Sequence, residues 1–254
     1  MPNSQCFTGF VLSLSCMLSS SALADCVVLL HGLARTASAM ETLETRLGGS
    51  GFTVANVDYP SREKPIEELA PLAIGEGLER CQGREPGSTI HFVTHSMGGI
   101  LIRYYLQGNT IEKLGHVVMI APPNQGSEVV DALAQAPGFQ LFNGPAGMQL
   151  GTDADSIPSQ LGPVSFSLGV IAGNKTFNPL LSQFLPNPDD GKVSVASTRV
   201  AGMADFVVVN ASHPFIMDDD AVIRATIRFL RTGTFEGSQH PTPLEAAGSK
   251  AASG

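Results

Sequence analysis

The sequence predicts an α/β fold, a mostly parallel sheet with helices on both faces, and three observations carry that expectation. Short apolar runs rich in Val and Ile recur along the chain. Helical patterns lie between them, as in parallel strands joined by crossover helices. With 254 residues, 43% of them hydrophobic and 15% charged, the composition suits one ordinary domain with a full-sized core.

Taken in order, strands are expected at 26–30 (CVVLL), 52–57 (FTVANV), 89–94 (TIHFVT), 116–121 (HVVMIA), 164–172 (VSFSLGVIA) and 205–210 (DFVVVN). Helices are expected at 37–47, 65–80, 97–107, 126–135 and 219–231. Pro65 suits a first helical turn, whereas Pro71 is expected to kink or restart the second helix. The run Asp218-Asp219-Asp220 is placed to cap the last one. The stretch 122–163 breaks the alternation. It is rich in Gly, Pro and Gln and carries Phe139, Leu141, Phe142, Met148 and Leu150 without a period, which reads as a lid or binding insertion. Residues 236–254 are Gly, Ser, Pro and Ala with few apolar groups, and are expected to be a disordered tail.

The first 24 residues hold no charged side chain and pass from an apolar stretch, 7–18, into serines and then Ala22-Leu23-Ala24. This predicts a secretory signal peptide cut before Asp25, a mature domain over 25–235, and a secreted or periplasmic location. The apolar stretch is too short and too serine-rich to span a bilayer. Cleavage leaves Cys26 and Cys81, which are read either as a disulfide or as two small buried thiols. A net charge of −8 and the lack of a Lys/Arg cluster argue against nucleic acid as a partner. Gly75-Glu76-Gly77-Leu78-Glu79-Arg80 lacks the last glycine of a dinucleotide loop, and no P-loop or H-E-x-x-H occurs, so neither a cofactor nor a metal is called for.

The chemistry-bearing segment is Ile90 to Leu101, IHFVTHSMGGIL, a strand, a sharp turn and a helix start with Ser96 at the apex. Such a turn lifts the hydroxyl above the sheet and aims the N–H groups of the helix start at charge developing beside it. The usual pattern is G-x-S-x-G. Here Thr94 stands at the first glycine, which predicts a slightly more open turn. The first strand ends in Leu30-His31-Gly32-Leu33, where Gly32 lets the Leu33 amide face the same spot as the Met97 amide, forming an oxyanion hole.

A serine hydroxyl needs a neutral imidazole to accept its proton. Of six histidines, His31 belongs to the first turn, His91 and His116 lie at strand starts, His95 is directed by the elbow and His240 lies in the tail. That leaves His213, beyond the last strand at the carboxyl edge of the sheet where ligands bind. The orienting acid is expected in Asp189-Asp190-Gly191: Asp190, because a glycine follows it, with Asp189 as the fallback.

Assembled, these residues resemble the α/β-hydrolase superfamily, and within it the compact bacterial lipases and esterases. The resemblance covers nearly all of residues 26–235 and rests on VVLLHGL, FVTHSMGG, APPNQGSEVVD, DDGKVSVASTRV and ASHPFIM. It implies an α/β-hydrolase fold and carboxylic-ester hydrolysis through an acyl-serine. In that reading Ser96 is the nucleophile, His213 the base, Asp190 the acid, and the Leu33 and Met97 amides the oxyanion hole. The implied substrates are acyl esters or lipids, with transient contact to a lipid surface. Calcium accompanies some lipases of this kind, but no ligand set is placed here. Two rivals remain: an acyltransferase or thioesterase sharing the acyl-serine, and an inactive hydrolase scaffold that binds a lipid or partner.

Overall fold

A computed structural model describes residues 24–84 and 86–235. The expected leader, apart from its last residue, and the expected tail at 236–254 lie outside the described residues. The sheet has six strands: β1 (Cys26–Leu30), β2 (Thr53–Val57), β3 (Ile90–His95), β4 (Leu114–Ile120), β5 (Leu168–Gly173) and β6 (Asp205–Val209). All neighbours pair in parallel, in the order β2-β1-β3-β4-β5-β6. The helices are α1 (Glu41–Gly48), α2 (Ile66–Arg84), α3 (Met97–Gly108), α4 (Glu128–Leu133), α5 (Phe139–Met148), α6 (Ile157–Gln160), α7 (Pro179–Ser182) and α8 (Asp220–Thr232).

Successive strand residues point to opposite faces, and both faces are dry, which is why the strands read as continuous apolar runs. Cys26, Val28 and Leu30 pack with Ile66, Leu69 and Ile74 of α2 and Ile100 and Leu101 of α3. Val27 and Leu29 pack with Leu43 and Leu47 of α1 and Val222, Ile223 and Phe229 of α8. Asp219 alone of the acidic run caps α8, accepting from the amides of Ala221 at 2.8 Å and Val222 at 3.3 Å.

Two expectations are corrected, and one segment gains detail. α2 runs unbroken through Pro71. The proline sits in the second turn, where only one helical hydrogen bond is lost, and burial of Leu69, Ala70, Ala73 and Ile74 offsets it. Strand β5 starts at Leu168 rather than at 164. The stretch from 122 to 163 folds into α4, α5 and α6, and Gly144, at φ 66°, breaks α5 into two pieces where a side chain would strike the Arg62 carbonyl. That break, with Pro145 beside it, hides the helical period.

Cys26 and Cys81 form a disulfide with Cα atoms 5.7 Å apart, joining β1 to α2. Gly77, one turn before Cys81, permits this approach, because any Cβ there would collide with Val28. Among the described residues no helix is long and apolar enough to cross a membrane.

Candidate active site

The strand order places β1 and β3 side by side, while α1 and α3, which follow them, lie on opposite faces of the sheet. A crevice opens at the carboxyl ends of two such strands. Ser96 directly follows β3 there with φ 52° and ψ −120°, a backbone conformation costing on the order of 1–3 kcal/mol. Its amide is tied to the Ile120 carbonyl at 2.9 Å, so the strain is held by β4. The Ser96 side chain makes no cap to α3, which leaves its hydroxyl free.

His213 Nε2 lies 3.2 Å from Ser96 Oγ, across 117 residues of chain. Its Nδ1 lies 2.7 Å from Asp190 Oδ2, and its amide donates to the Asp190 carbonyl at 2.9 Å. The ring is therefore fixed by both the backbone and the side chain of one residue. Asp190 is fully buried, and its other oxygen accepts from the amides of Lys192 at 3.0 Å and Val193 at 2.9 Å. Asp189 points elsewhere: its carboxylate accepts from Ser182 Oγ at 2.6 Å and from the Gly191 amide at 2.7 Å. Of the two adjacent acids, Asp190 meets the imidazole and Asp189 anchors α7.

Leu33 and Met97 flank the serine as the two turns require. Met97 is the first residue of α3, so its amide has no helical acceptor. Gly32 brings the first turn against the elbow, since a Cβ there would stand 2.9 Å from His95 Nδ1 and 3.2 Å from Ser96 Cβ. Gly98 does the same from the helix side, with the Leu30 carbonyl 2.7 Å from any Cβ. Thr94 is accommodated fully buried, with its hydroxyl unpartnered among the described residues.

Sequence reasoning missed the groups that hold the first turn. Ser61 Oγ accepts from the Ala34 amide at 3.1 Å, directly after Leu33, where Ala34 has φ 56°. His31 Nε2 accepts from the Tyr59 amide at 3.3 Å, which puts the proton on Nδ1, donating to the Gly32 carbonyl at 2.9 Å. The Tyr59 hydroxyl donates to the His31 carbonyl, and the two rings stack at 4.0 Å. Burial holds the His31 imidazole below its ordinary value, in keeping with this neutral tautomer. His95 is also held well below it, first by burial and then by the neighbouring His213. No motif announces Tyr59 or Ser61, since they belong to the loop after β2 and meet the turn only in three dimensions.

Arg103 was missed as well. Buried on α3, it donates to the Asn124 carbonyl at 2.9 Å and the Leu161 carbonyl at 2.9 Å, fastening both ends of the 122–163 segment. Burial lowers its pKa to about 10, so it remains charged at neutral pH.

The hydroxyl opens into a cavity of about 510 Å³ bounded by Val129, Val130, Leu133, Phe139, Leu150 and Leu181. Exposed apolar side chains lie on the segments that line it. Phe142 (63% exposed) and Phe177 (50%) line it, and Leu141, Leu180, Phe184 and Phe215 sit on the same segments. Among the described residues no group of three or more His, Cys, Asp or Glu side chains is placed to hold a metal.

Comparison with known proteins accords with this architecture. Solved structures similar in fold include a Bacillus licheniformis lipase in its mature form, 19% identical with a TM-score of 0.67, covering 83% of this chain and 93% of that one. Phospholipase PlaB from Legionella pneumophila is 17% identical with a TM-score of 0.58, over 84% of this chain and 57% of that one. A Pyrococcus furiosus esterase is 17% identical with a TM-score of 0.56, over 82% of each chain. No curated protein sequence matches. The family model described as the alpha/beta hydrolase family matches residues 27–230, the whole span from the first strand into the last helix, and the chain belongs to that family.

Proposed function

We propose that the protein is an exported serine hydrolase that cleaves carboxylic esters with apolar acyl chains. The observation carrying the reading is the Ser96–His213–Asp190 hydrogen-bond chain opening into an apolar cavity. Ser96 Oγ attacks the ester carbonyl while His213 Nε2 takes its proton. The carbonyl oxygen, now negative, is met by the Leu33 and Met97 amides, donors each worth about 3–4 kcal/mol in such a hole. Collapse expels the alcohol, protonated by His213, and leaves an acyl-serine. His213 then draws a proton from water, the hydroxide adds to the acyl carbon, and the acid departs as Ser96 regains its proton. Asp190 keeps Nδ1 protonated and stabilises the imidazolium in both halves.

The apolar lining from α4 and α5 supports an acyl-chain site, and the exposed aromatic rim supports contact with lipid aggregates. Secretion or a periplasmic location is supported by the leader-like first 24 residues and by the Cys26–Cys81 disulfide, which persists in oxidising compartments.

The test is labelling by a fluorophosphonate probe together with a chain-length series of chromogenic esters. The wild type is expected to label and to favour medium or long chains, and Ser96→Ala to do neither while keeping its melting temperature. A folded wild type that resists the probe and turns over no ester removes the proposal.

A further inference from the structure

Two cations share the cavity that holds Ser96. Arg35, just past the first turn, and Lys192, two residues after Asp190, both line it. Among the described residues neither forms an ion pair with a carboxylate: Arg35 donates to the Pro214 carbonyl at 3.4 Å, and Lys192 makes no side-chain hydrogen bond. Two of the acids around them are committed, and Glu63 lines only the neighbouring hollow, outside the cavity that holds Ser96. Asp190 holds His213, and Asp58 accepts from the Ala37 amide at 2.9 Å and faces His31. In a chain of net charge −8, two unmatched cations at one opening are not a general surface property.

Their placement has a direction. Arg35 is the boundary between the apolar cavity and a second, polar hollow of about 650 Å³, lined also by Thr36, Ser61, Arg62 and Glu63 and lacking Ser96. Lys192 keeps solvent access, yet crowding by the chain and then the charge of Arg35 hold its ammonium below the usual lysine value, against a smaller opposing pull from the Asp190 carboxylate. The two positive groups thus repel across the mouth, and an anion between them would relieve that repulsion and the loss of water together.

We infer that the preferred substrates are acyl esters whose alcohol carries a phosphate, with the acyl chain in the apolar cavity and the phosphate between Arg35 and Lys192. This rests on the ester-hydrolase reading above and names its substrate class. An arginine fork and a lysine suit phosphate oxygens, the one by geometry and the other as a mobile point charge.

The experiment compares kcat/KM for octanoyl glycerol phosphate with that for octanoyl glycerol, below their aggregation limits, by octanoate release. The wild type is expected to favour the phosphate ester by about tenfold or more, with the ratio falling as salt rises from about 0.05 to 0.5 M. Arg35→Gln and Lys192→Gln are each expected to reduce the ratio about three- to tenfold, and the double variant to bring it near one. Lys113→Gln, at the opposite end of the sheet, removes the same charge and is expected to leave the ratio alone. Equal rates on both esters, or a ratio that survives in the double variant, overturn the inference while the hydrolase reading stands. No octanoate from either ester, with no fluorophosphonate labelling, overturns both.

Discussion

At the scale of single residues, two adjacent acids separate by role. Asp190→Asn leaves an amide where the imidazole needs an acceptor, and an analogous change in a Ser-His-Asp site lowers turnover about 10⁴-fold through the wrong tautomer. A loss of that order is expected in kcat, with little change in melting temperature. Asp189→Asn instead loosens Ser182 and the α7 segment, and is expected to cost less than about tenfold in kcat; a larger loss than for Asp190→Asn would reverse the assignment. Ser61→Ala removes the acceptor of the Ala34 amide. Since that contact positions the Leu33 donor rather than supplying it, about a tenfold fall in kcat is expected, with KM nearly unchanged and fluorophosphonate labelling slowed but retained.

Elements bring these residues together, and the 122–163 segment is the element least legible in sequence. Its helices are short, α5 is interrupted at Gly144, and its apolar residues divide between the cavity and the exposed rim, so no single period survives. What fixes it is distant. Arg103 reaches it from α3, and Gln149 bonds back to the Ile66 amide at 2.8 Å and to the Glu67 carboxylate on α2. Arg103→Met keeps the apolar stem but leaves the carbonyls of Asn124, Leu161 and Gly162 unpaired. A loss of about 3 kcal/mol is expected by urea unfolding, with proteolysis of the segment beginning before global unfolding. On the rim, Phe142→Ser with Phe177→Ser is expected to raise KM severalfold for aggregated long-chain esters and to spare short soluble ones, as measured across a chain-length series.

For the whole molecule, pH dependence follows from its buried histidines. His31, His91 and His95 are held below the ordinary histidine value, in each case chiefly by burial. Unfolded, each takes up a proton near pH 6.5; folded, each does so only at lower pH. Below about pH 6.5 the unfolded chain therefore binds more protons, and stability rises with pH. The contribution is full above that value and is lost as pH falls through the depressed folded values. Melting temperatures are expected to drop steadily from about pH 7 to 5, and less steeply in His91→Gln, in which one of the three groups is gone. Reducing the disulfide, which closes a separation of 55 residues, is expected to cost about 4 kcal/mol on a chain-entropy basis, readable as a fall in the unfolding midpoint.

The sequence by itself determined the class of the fold, the order of its strands along the chain and the elbow at Ser96. Burial on both faces writes itself into each strand as an unbroken apolar run, and a tight turn demands glycines beside it. Within that frame it also proposed His213 and, ahead of its neighbour Asp189, the acid Asp190. Only the tertiary structure decided which acid faces the imidazole, that Cys26 and Cys81 are joined, that Tyr59 and Ser61 brace the first turn, and that Arg35 and Lys192 meet at one opening. Those relations join residues that no local pattern links, and they exist because the packed helices and the sheet order bring remote loops to the same edge.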